Sequence, residues 1–291
     1  MRPPTIPFET TSLTLSDGYR AHVRFWRPRR APARLAYLYL HGIQSHGGWF
    51  AWSAATLAKA SGDLVFLPDR RGSGRNQAAR GDVPSADRWL DDIDDYSAWV
   101  GREFGVGRFA VVGVSWGGKL AAAWALRRPE HVARLLLIAP GLFPAVDLPP
   151  AAKLRVGLAL LFRPRAAFPI PLDDPALFTD NPAGRKFIHT DPRRLTQVTA
   201  RFLWHSRRVD AVLRKAPAQS LLAPVALLLA GRDRIIRNEP TAAWIRRVAA
   251  QPPEIIEFPA AAHTLEFEPD EFGLAQFLRG WAEGAGRVWA P

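Results

Sequence analysis

Short, nearly continuous apolar runs alternate with segments of helical spacing along most of this chain, and that alternation narrows the folds open to it more than any other feature. The runs are "LAYLYLHG" (35–42), "DLVFLPD" (63–69), "FAVVGVS" (109–115), "ARLLLIAPG" (133–141), "VALLLAGRD" (225–233) and "EIIEFPA" (254–260). A strand that is apolar on both faces needs cover on both sides, which a parallel sheet obtains from its own crossover helices. The intervening segments "WFAWSAATLAKA", "ADRWLDDIDDYSAWVGREF", "GGKLAAAWALRRPEHV", "EPTAAWIRRVAA" and "PDEFGLAQFLRGWAEGA" supply those helices. The pattern predicts an α/β chain with a mostly parallel central sheet flanked by helices, and ligand chemistry just past the carboxyl ends of the strands. Ahead of it, "SLTL" and "RAHVRFW" alternate around a turn at Ser16 to Gly18, as an antiparallel hairpin does.

The rhythm fails once. From Leu142 to Leu222 the chain offers Pro-rich turns and helical pieces ("AAKLRVGLALLF", "RRLTQVTARFLWHSRRVDAVLRKA") but no evident sheet strand. A structureless loop of that length is rare in a compact domain, so the expectation is a helical cap at 142–222 inserted into a core formed by 1–141 and 223–291. Its apolar stripe, with Leu154, Leu158, Leu161 and Phe162, has two uses open to it: packing within the cap, or walling an acyl pocket.

Composition removes several classes of function. With no cysteine, neither a disulfide framework, a thiolate metal site nor a cysteine nucleophile is available. The formal charge of +12 comes from scattered arginines with no long basic run or nucleic-acid motif, which argues against nucleic acid and leaves a weak attraction to anionic membrane surfaces. "MRPPTIPFETTSLTL" lacks the apolar run of a secretory signal, and "LRVGLALLF" is far too short to span a bilayer, so a cytoplasmic, soluble protein is expected. The sequence says nothing of oligomeric state.

One joint in the pattern carries chemistry. In "AVVGVSWGGKLAAAWAL" a buried strand runs directly into a helix through Gly113-Val114-Ser115-Trp116-Gly117, a G-x-S-x-G arrangement. At ordinary glycine and serine frequencies such a pattern falls by chance in about one chain in ten of this length. Its place at a strand-to-helix turn is what gives it weight, because a sharp turn there lifts the hydroxyl above the sheet. A serine also needs a base, and the base an acid to orient it. Asp233 follows "VALLLAG" and His263 follows the last strand, giving the order Ser115, Asp233, His263. Each alone has a plainer reading, the aspartate as a turn or cap residue and the histidine as a packed one. Oxyanion donors are expected from the Ile43 N–H, in the turn after "YLHG", and from the Trp116 N–H at the start of the helix.

Other candidates are weaker. His41 and His46 read as histidines that structure their loop, since no carboxylate lies near them in sequence to complete a metal site. Asp69, in "PDRRGSGRN", also ends a strand but precedes the nucleophile, and is expected to brace loops; the "GSG" there is too short for a dinucleotide fingerprint. "LDDIDD" (90–95) reads as the solvated acidic face of a helix. No metal and no cofactor is expected.

Taken together, His41-Gly42 with His46, the "DRRGSG" loop, "GVSWGG", the "GRD" acid and "HTLEFE" with Leu265 and Glu268 resemble the α/β hydrolases, along the whole chain. Within them the likeness is to the monoacylglycerol lipase and lysophospholipase-like, or serine aminopeptidase-like, branch. That resemblance implies ester hydrolysis through an acyl-enzyme without a cofactor. Ser115 is then nucleophile, His263 base and acid, Asp233 its orienter, Ile43 and Trp116 oxyanion donors, and Ile235 a substrate contact. Members that recognise glycerol carry a glutamate just before the histidine at position 46 and an arginine three residues after it. Ser45 and Trp49 stand in those places, so the likeness does not extend to glycerol.

The sequence therefore predicts a serine hydrolase for medium or long acyl esters, lysophospholipid- or monoacylglycerol-like. An amide or C–C hydrolase, an acyltransferase, or a non-catalytic receptor for a small apolar ligand stays open beside it.

Overall fold

The computed structural model describes residues 2–29, 33–269 and 273–284. The end of the expected core, 285–291, and residues 270–272 of the last expected helical segment lie outside the described residues. Eight strands form one sheet: β1 (Glu9–Thr14), β2 (Arg20–Trp26), β3 (Ala36–Leu40), β4 (Leu64–Pro68), β5 (Phe109–Val114), β6 (Val132–Ile138), β9 (Val225–Ala230) and β10 (Glu254–Phe258). Their spatial order is β1-β2-β4-β3-β5-β6-β9-β10. The hairpin β1–β2 and the pair β2–β4 are antiparallel, and every later pairing is parallel. β3, β4, β5 and β9 are buried along their whole length, as their apolar runs require. β6 is half-buried at two positions, and β10, which has one neighbour in the sheet, is half-buried over most of its length.

Five helices complete the core: α1 (Ala51–Ser61), α2 (Ala86–Phe104), α3 (Trp116–Arg127), α7 (Asn238–Val248) and α8 (Leu274–Glu283). α2 shows why these stretches become helices. Ser85 caps it by accepting the Arg88 N–H at 3.0 Å, its apolar residues Trp89, Ile93, Tyr96 and Val100 recur at helical spacing, and Gly105 ends it at φ 68°. The "LDDIDD" aspartates within it are not simply solvated. Asp92 is buried between Arg71 and Arg88 at 2.6 and 2.9 Å, and Asp94 accepts the Trp124 indole N–H at 2.8 Å. Arg88 comes from the helix itself, four residues before Asp92, but Arg71 and Trp124 come from other elements, and a linear reading of the helix does not show them.

The sheet's connections position the site. From β3 the chain crosses to β4 on one side, whereas β5 lies on β3's other side, so β3 and β5 are adjacent strands whose following segments diverge. Such a point leaves a crevice beyond the carboxyl ends of the two strands. Right-handed crossovers then put α1, which packs on α8, opposite α2 and α3, which pack on each other.

Between β6 and β9 the chain leaves the sheet. It forms α4 (Pro150–Phe162), α5 (Pro182–Thr190) and α6 (Ala200–Lys215), together with an antiparallel pair, β7 (Ala167–Pro169) and β8 (Gln197–Thr199). Three-residue strands carry no readable period, which is why "RRLTQVTARFLW" reads as helix when only its second half is one. The stripe Leu154, Leu158, Leu161 and Phe162 takes neither of its expected places: these side chains are 67, 52, 75 and 79% exposed. α4 instead turns Val156 and Leu160 inward.

Candidate active site

Ser115 sits at φ 51°, ψ −123°, a conformation a non-glycine residue rarely adopts, and its neighbours fix it there. Its N–H donates to the Ile138 carbonyl at 3.0 Å, and its carbonyl accepts the Gly118 and Gly141 N–H groups at 2.9 and 2.7 Å. The flanking glycines are steric necessities. A Cβ on Gly117 would lie 2.3 Å from the Leu40 carbonyl oxygen, and one on Gly113 would lie 2.6 Å from the Ala121 Cβ. Gly117 thus lets α3 begin against the end of β3, and Gly113 lets the helix pack back on β5.

The three residues picked out at separate strand ends meet here. His263 Nε2 is 2.8 Å from Ser115 Oγ, and His263 Nδ1 is 2.7 Å from Asp233 Oδ2. The other carboxylate oxygen of Asp233 accepts the Ile235 and Ile236 N–H groups at 2.8 and 2.9 Å. Asp233 is therefore the turn residue of the plain reading and the partner of His263 at once. A carboxylate only accepts, so it draws the imidazole proton to Nδ1 and leaves Nε2 bare toward the serine hydroxyl. Both side chains are almost wholly buried, at 2% for His263 and 1% for Asp233.

Ile43 and Trp116 flank the serine on the same crevice. Gly42 packs so closely on Ser115 that an added Cβ would sit 3.3 Å from the serine Cβ. Trp116 opens α3, where an N–H has no acceptor within its own helix. Ser115, Ile43, Trp116 and Ile235 all line one cavity of about 350 Å³. Its other walls are mostly apolar, among them Leu148, Val156, Leu160, Ile170, Leu203 and Ile236.

Buried polar contacts hold the loops around it. Asp69 accepts from Arg24 at 2.6 Å and from the Gly47 and Arg75 N–H groups at 2.8 and 2.9 Å. Burial works against its charge, but Arg24 and these donors hold its carboxyl at about 2. His41 accepts the Arg70 N–H on Nε2 at 2.8 Å and donates from Nδ1 to the Gly42 carbonyl at 2.8 Å. Burial first, and Arg70 second, push it down to about 3, so it stays neutral. His46 accepts the Gly48 N–H on Nδ1 at 3.0 Å, which leaves Nε2 to donate to Asp191 at 3.0 Å. Asp191 also takes the Trp49 indole N–H at 2.6 Å. The carboxylate that the sequence around His46 lacks thus arrives from the end of α5, 145 residues away. Among the described residues no cluster of three histidine, aspartate or glutamate side chains is arranged to hold a metal.

Two buried groups that the sequence reading passed over belong to this region. Arg70 donates to the Ile43 carbonyl at 2.8 Å and lies over the Trp116 ring at 4.7 Å, and burial lowers it to about 9. Lys119, one turn beyond Ser115 in α3, pairs with Asp210 of α6 at 2.7 Å on the cavity wall. Arg70 stands in the "DRRGSG" loop but nothing local marks this role for it, and Lys119 carries no sequence signal, because each partner is remote along the chain.

The model of the serine aminopeptidase S33 family matches residues 31–270, well over half of the chain. The chain belongs to that family. As a family member it shares 26% identity over 256 residues with the uncharacterized protein YnbC of Escherichia coli (strain K12), covering 86% of this chain and 42% of YnbC. It shares 27% identity over 139 residues with the monoglyceride lipase of Homo sapiens, covering 47% of this chain and 45% of that protein. The matches thus span less than half the length of these two relatives. In three dimensions it is similar to a soluble variant of the monoglyceride lipase of Saccharomyces cerevisiae, solved with a substrate analog. The TM-score is 0.81 and the identity 18%, over 98% of this chain and 97% of that one. That likeness establishes the α/β-hydrolase fold.

Proposed function

We propose that this protein is a serine-dependent carboxylic ester hydrolase acting on medium or long acyl esters of lipid-like character. The observation that carries the reading is the hydrogen-bonded series Asp233, His263, Ser115 ending on a mostly apolar cavity. In this reading His263 Nε2 takes the Ser115 proton as Oγ attacks the ester carbonyl, and Asp233 stabilises the imidazolium that forms. The Ile43 and Trp116 N–H groups receive the oxyanion, the imidazolium protonates the leaving alcohol, and a water activated by His263 releases the acid. Ile235, beside the acid and on the cavity wall, contacts the acyl chain. Residues 142–222 act as the cap that closes over it. No step calls for a metal or cofactor.

The test is hydrolysis of p-nitrophenyl esters of increasing acyl length. Burying each CH₂ is worth about 0.8 kcal/mol, so kcat/KM rises roughly fourfold per added CH₂ until the chain outgrows the cavity. No turnover on any ester, together with failure of a fluorophosphonate to label Ser115, would overturn the reading.

Weak attachment to anionic lipid surfaces is a further part of the proposal. It is supported by the outward row Leu154, Leu158, Leu161 and Phe162 of α4 beside the exposed Lys153, Arg155 and Arg163. No helix among the described residues is long and apolar enough to cross a membrane. Co-sedimentation with phosphatidylglycerol vesicles is expected, weakened by salt and by replacing Leu161 and Phe162 with serine. Pelleting that neither change reduces would rule the attachment out.

A further inference from the structure

The buried ion pair on the cavity wall asks for an explanation. Lys119 Nζ and Asp210 Oδ1 are 2.7 Å apart, and the side chains are 7 and 5% exposed. Both line the cavity that Ser115 opens into, whose other charged lining, Asp147, Lys153 and Arg207, is paired within itself, and whose remaining walls are mostly apolar. Removing two charges from water costs several kcal/mol per ion, and an apolar pair of similar size commonly holds two helices as well or better. Other contacts also join these two helices. Trp116 of α3 stacks on Phe202 of α6 at 5.4 Å and donates its indole N–H to Ser206 of α6 at 2.9 Å. A buried ion pair kept on the wall of a mostly apolar cavity is suited to meeting something polar inside.

The chemistry of the pair says what. An ammonium has three protons to donate, and among the described residues Asp210 is its only partner. The carboxylate accepts and cannot donate. Lys119 and Asp210 together are neutral, so a charged ligand group would satisfy one member and repel the other. A hydroxyl suits both, accepting from Lys119 while donating to Asp210. Ser206 stands one helical turn before Asp210 on the same wall and adds a second hydroxyl contact. The position also fits. Lys119 lies in the first turn of α3, the helix that Ser115 precedes, and long helical side chains lean back toward the N-terminus, here toward the nucleophile.

We infer that the preferred substrates are esters whose acyl chain carries a hydroxyl group, held by Lys119 and Asp210 while the rest of the chain fills the apolar cavity. The inference rests on the ester-hydrolase reading above and names the substrate class within it. A site built to bond a substrate hydroxyl discriminates against the analogue that lacks it, because its own polar groups are then left without partners.

The experiment compares p-nitrophenyl dodecanoate with its hydroxy derivatives, the hydroxyl moved along the chain, in wild type, Ser115→Ala and the double variant K119M/D210L. In wild type at least one positional isomer is expected to exceed the plain ester in kcat/KM by roughly tenfold. In K119M/D210L that ratio falls to one or below, because the hydroxyl then enters an apolar wall. The wild-type comparison stands alone if the double variant does not fold. Hydrolysis that disappears in Ser115→Ala but is equally fast on plain and hydroxylated chains at every position overturns this inference and leaves the ester hydrolase intact. Absence of hydrolysis on every ester overturns this inference, and together with failure of fluorophosphonate labelling it overturns the ester-hydrolase reading as well.

Discussion

Replacing Ser115 by glycine is expected to abolish ester hydrolysis while giving a protein that melts higher than Ser115→Ala. The loss in kcat is on the order of a millionfold, the scale on which removal of a nucleophile acts when serine and histidine work as a unit. The gain in stability has a separate origin. Ser115 is held at φ 51°, ψ −123° by the Ile138 carbonyl on one side and the Gly118 and Gly141 amides on the other. A side chain kept in so sparse a region costs about 1–3 kcal/mol, and glycine removes most of that cost. Glycine gives back about 0.5–1 kcal/mol through the greater freedom of its unfolded chain, leaving a net gain of about 1 kcal/mol. Alanine is the proper reference, since both variants lose the hydroxyl that His263 contacts and alanine keeps the strained backbone. Thermal melts of the two variants, followed by circular dichroism, should differ by roughly 2 °C in favour of glycine. An equal or lower melting temperature for Ser115→Gly would show that the turn stores no strain, and retained hydrolysis would place the nucleophile elsewhere.

Asp233→Asn is expected to lower kcat by about four orders of magnitude with little change in KM. Asp233 uses one oxygen to accept the Ile235 and Ile236 amides at 2.8 and 2.9 Å and the other to accept from His263 Nδ1 at 2.7 Å. Asparagine keeps the first pair of contacts with its carbonyl oxygen, so the turn after β9 survives. Its NH₂ group then faces His263, where a donor meets a donor unless the imidazole moves its proton to Nε2. That tautomer donates toward Ser115 and has no lone pair with which to take the serine proton. Pre-steady-state kinetics with a p-nitrophenyl ester should therefore show slowed acylation, and the variant should lose reactivity toward a fluorophosphonate in the same proportion. A loss of less than about tenfold would mean that another group orients the histidine.

Much of this protein is legible in its sequence. The elements around the sheet form where single segments decide: "FAVVGV" is buried along its length as β5, and Ser85 and Gly105 bound α2. Ser115, Asp233 and His263 could be picked out because each follows an apolar run at a turn, and parallel strands bring their carboxyl ends to one edge of the sheet. The segment between β6 and β9 was read less well. Its three-residue strands have no period, and α4 shows the same apolar composition whether Leu161 and Phe162 face protein or solvent.

Features that depend on neighbours a few residues away are set within single segments: burial of strands on two faces, helix limits, the glycines beside Ser115. Tertiary structure alone decided the contacts between residues remote in the chain. Asp191 reaches His46 across 145 residues, Arg71 buries Asp92, and Lys119 meets Asp210 on the cavity wall. Charges buried in this way are stable only beside their partners. No local pattern announces such a partner, because only the fold brings it there from a distant segment.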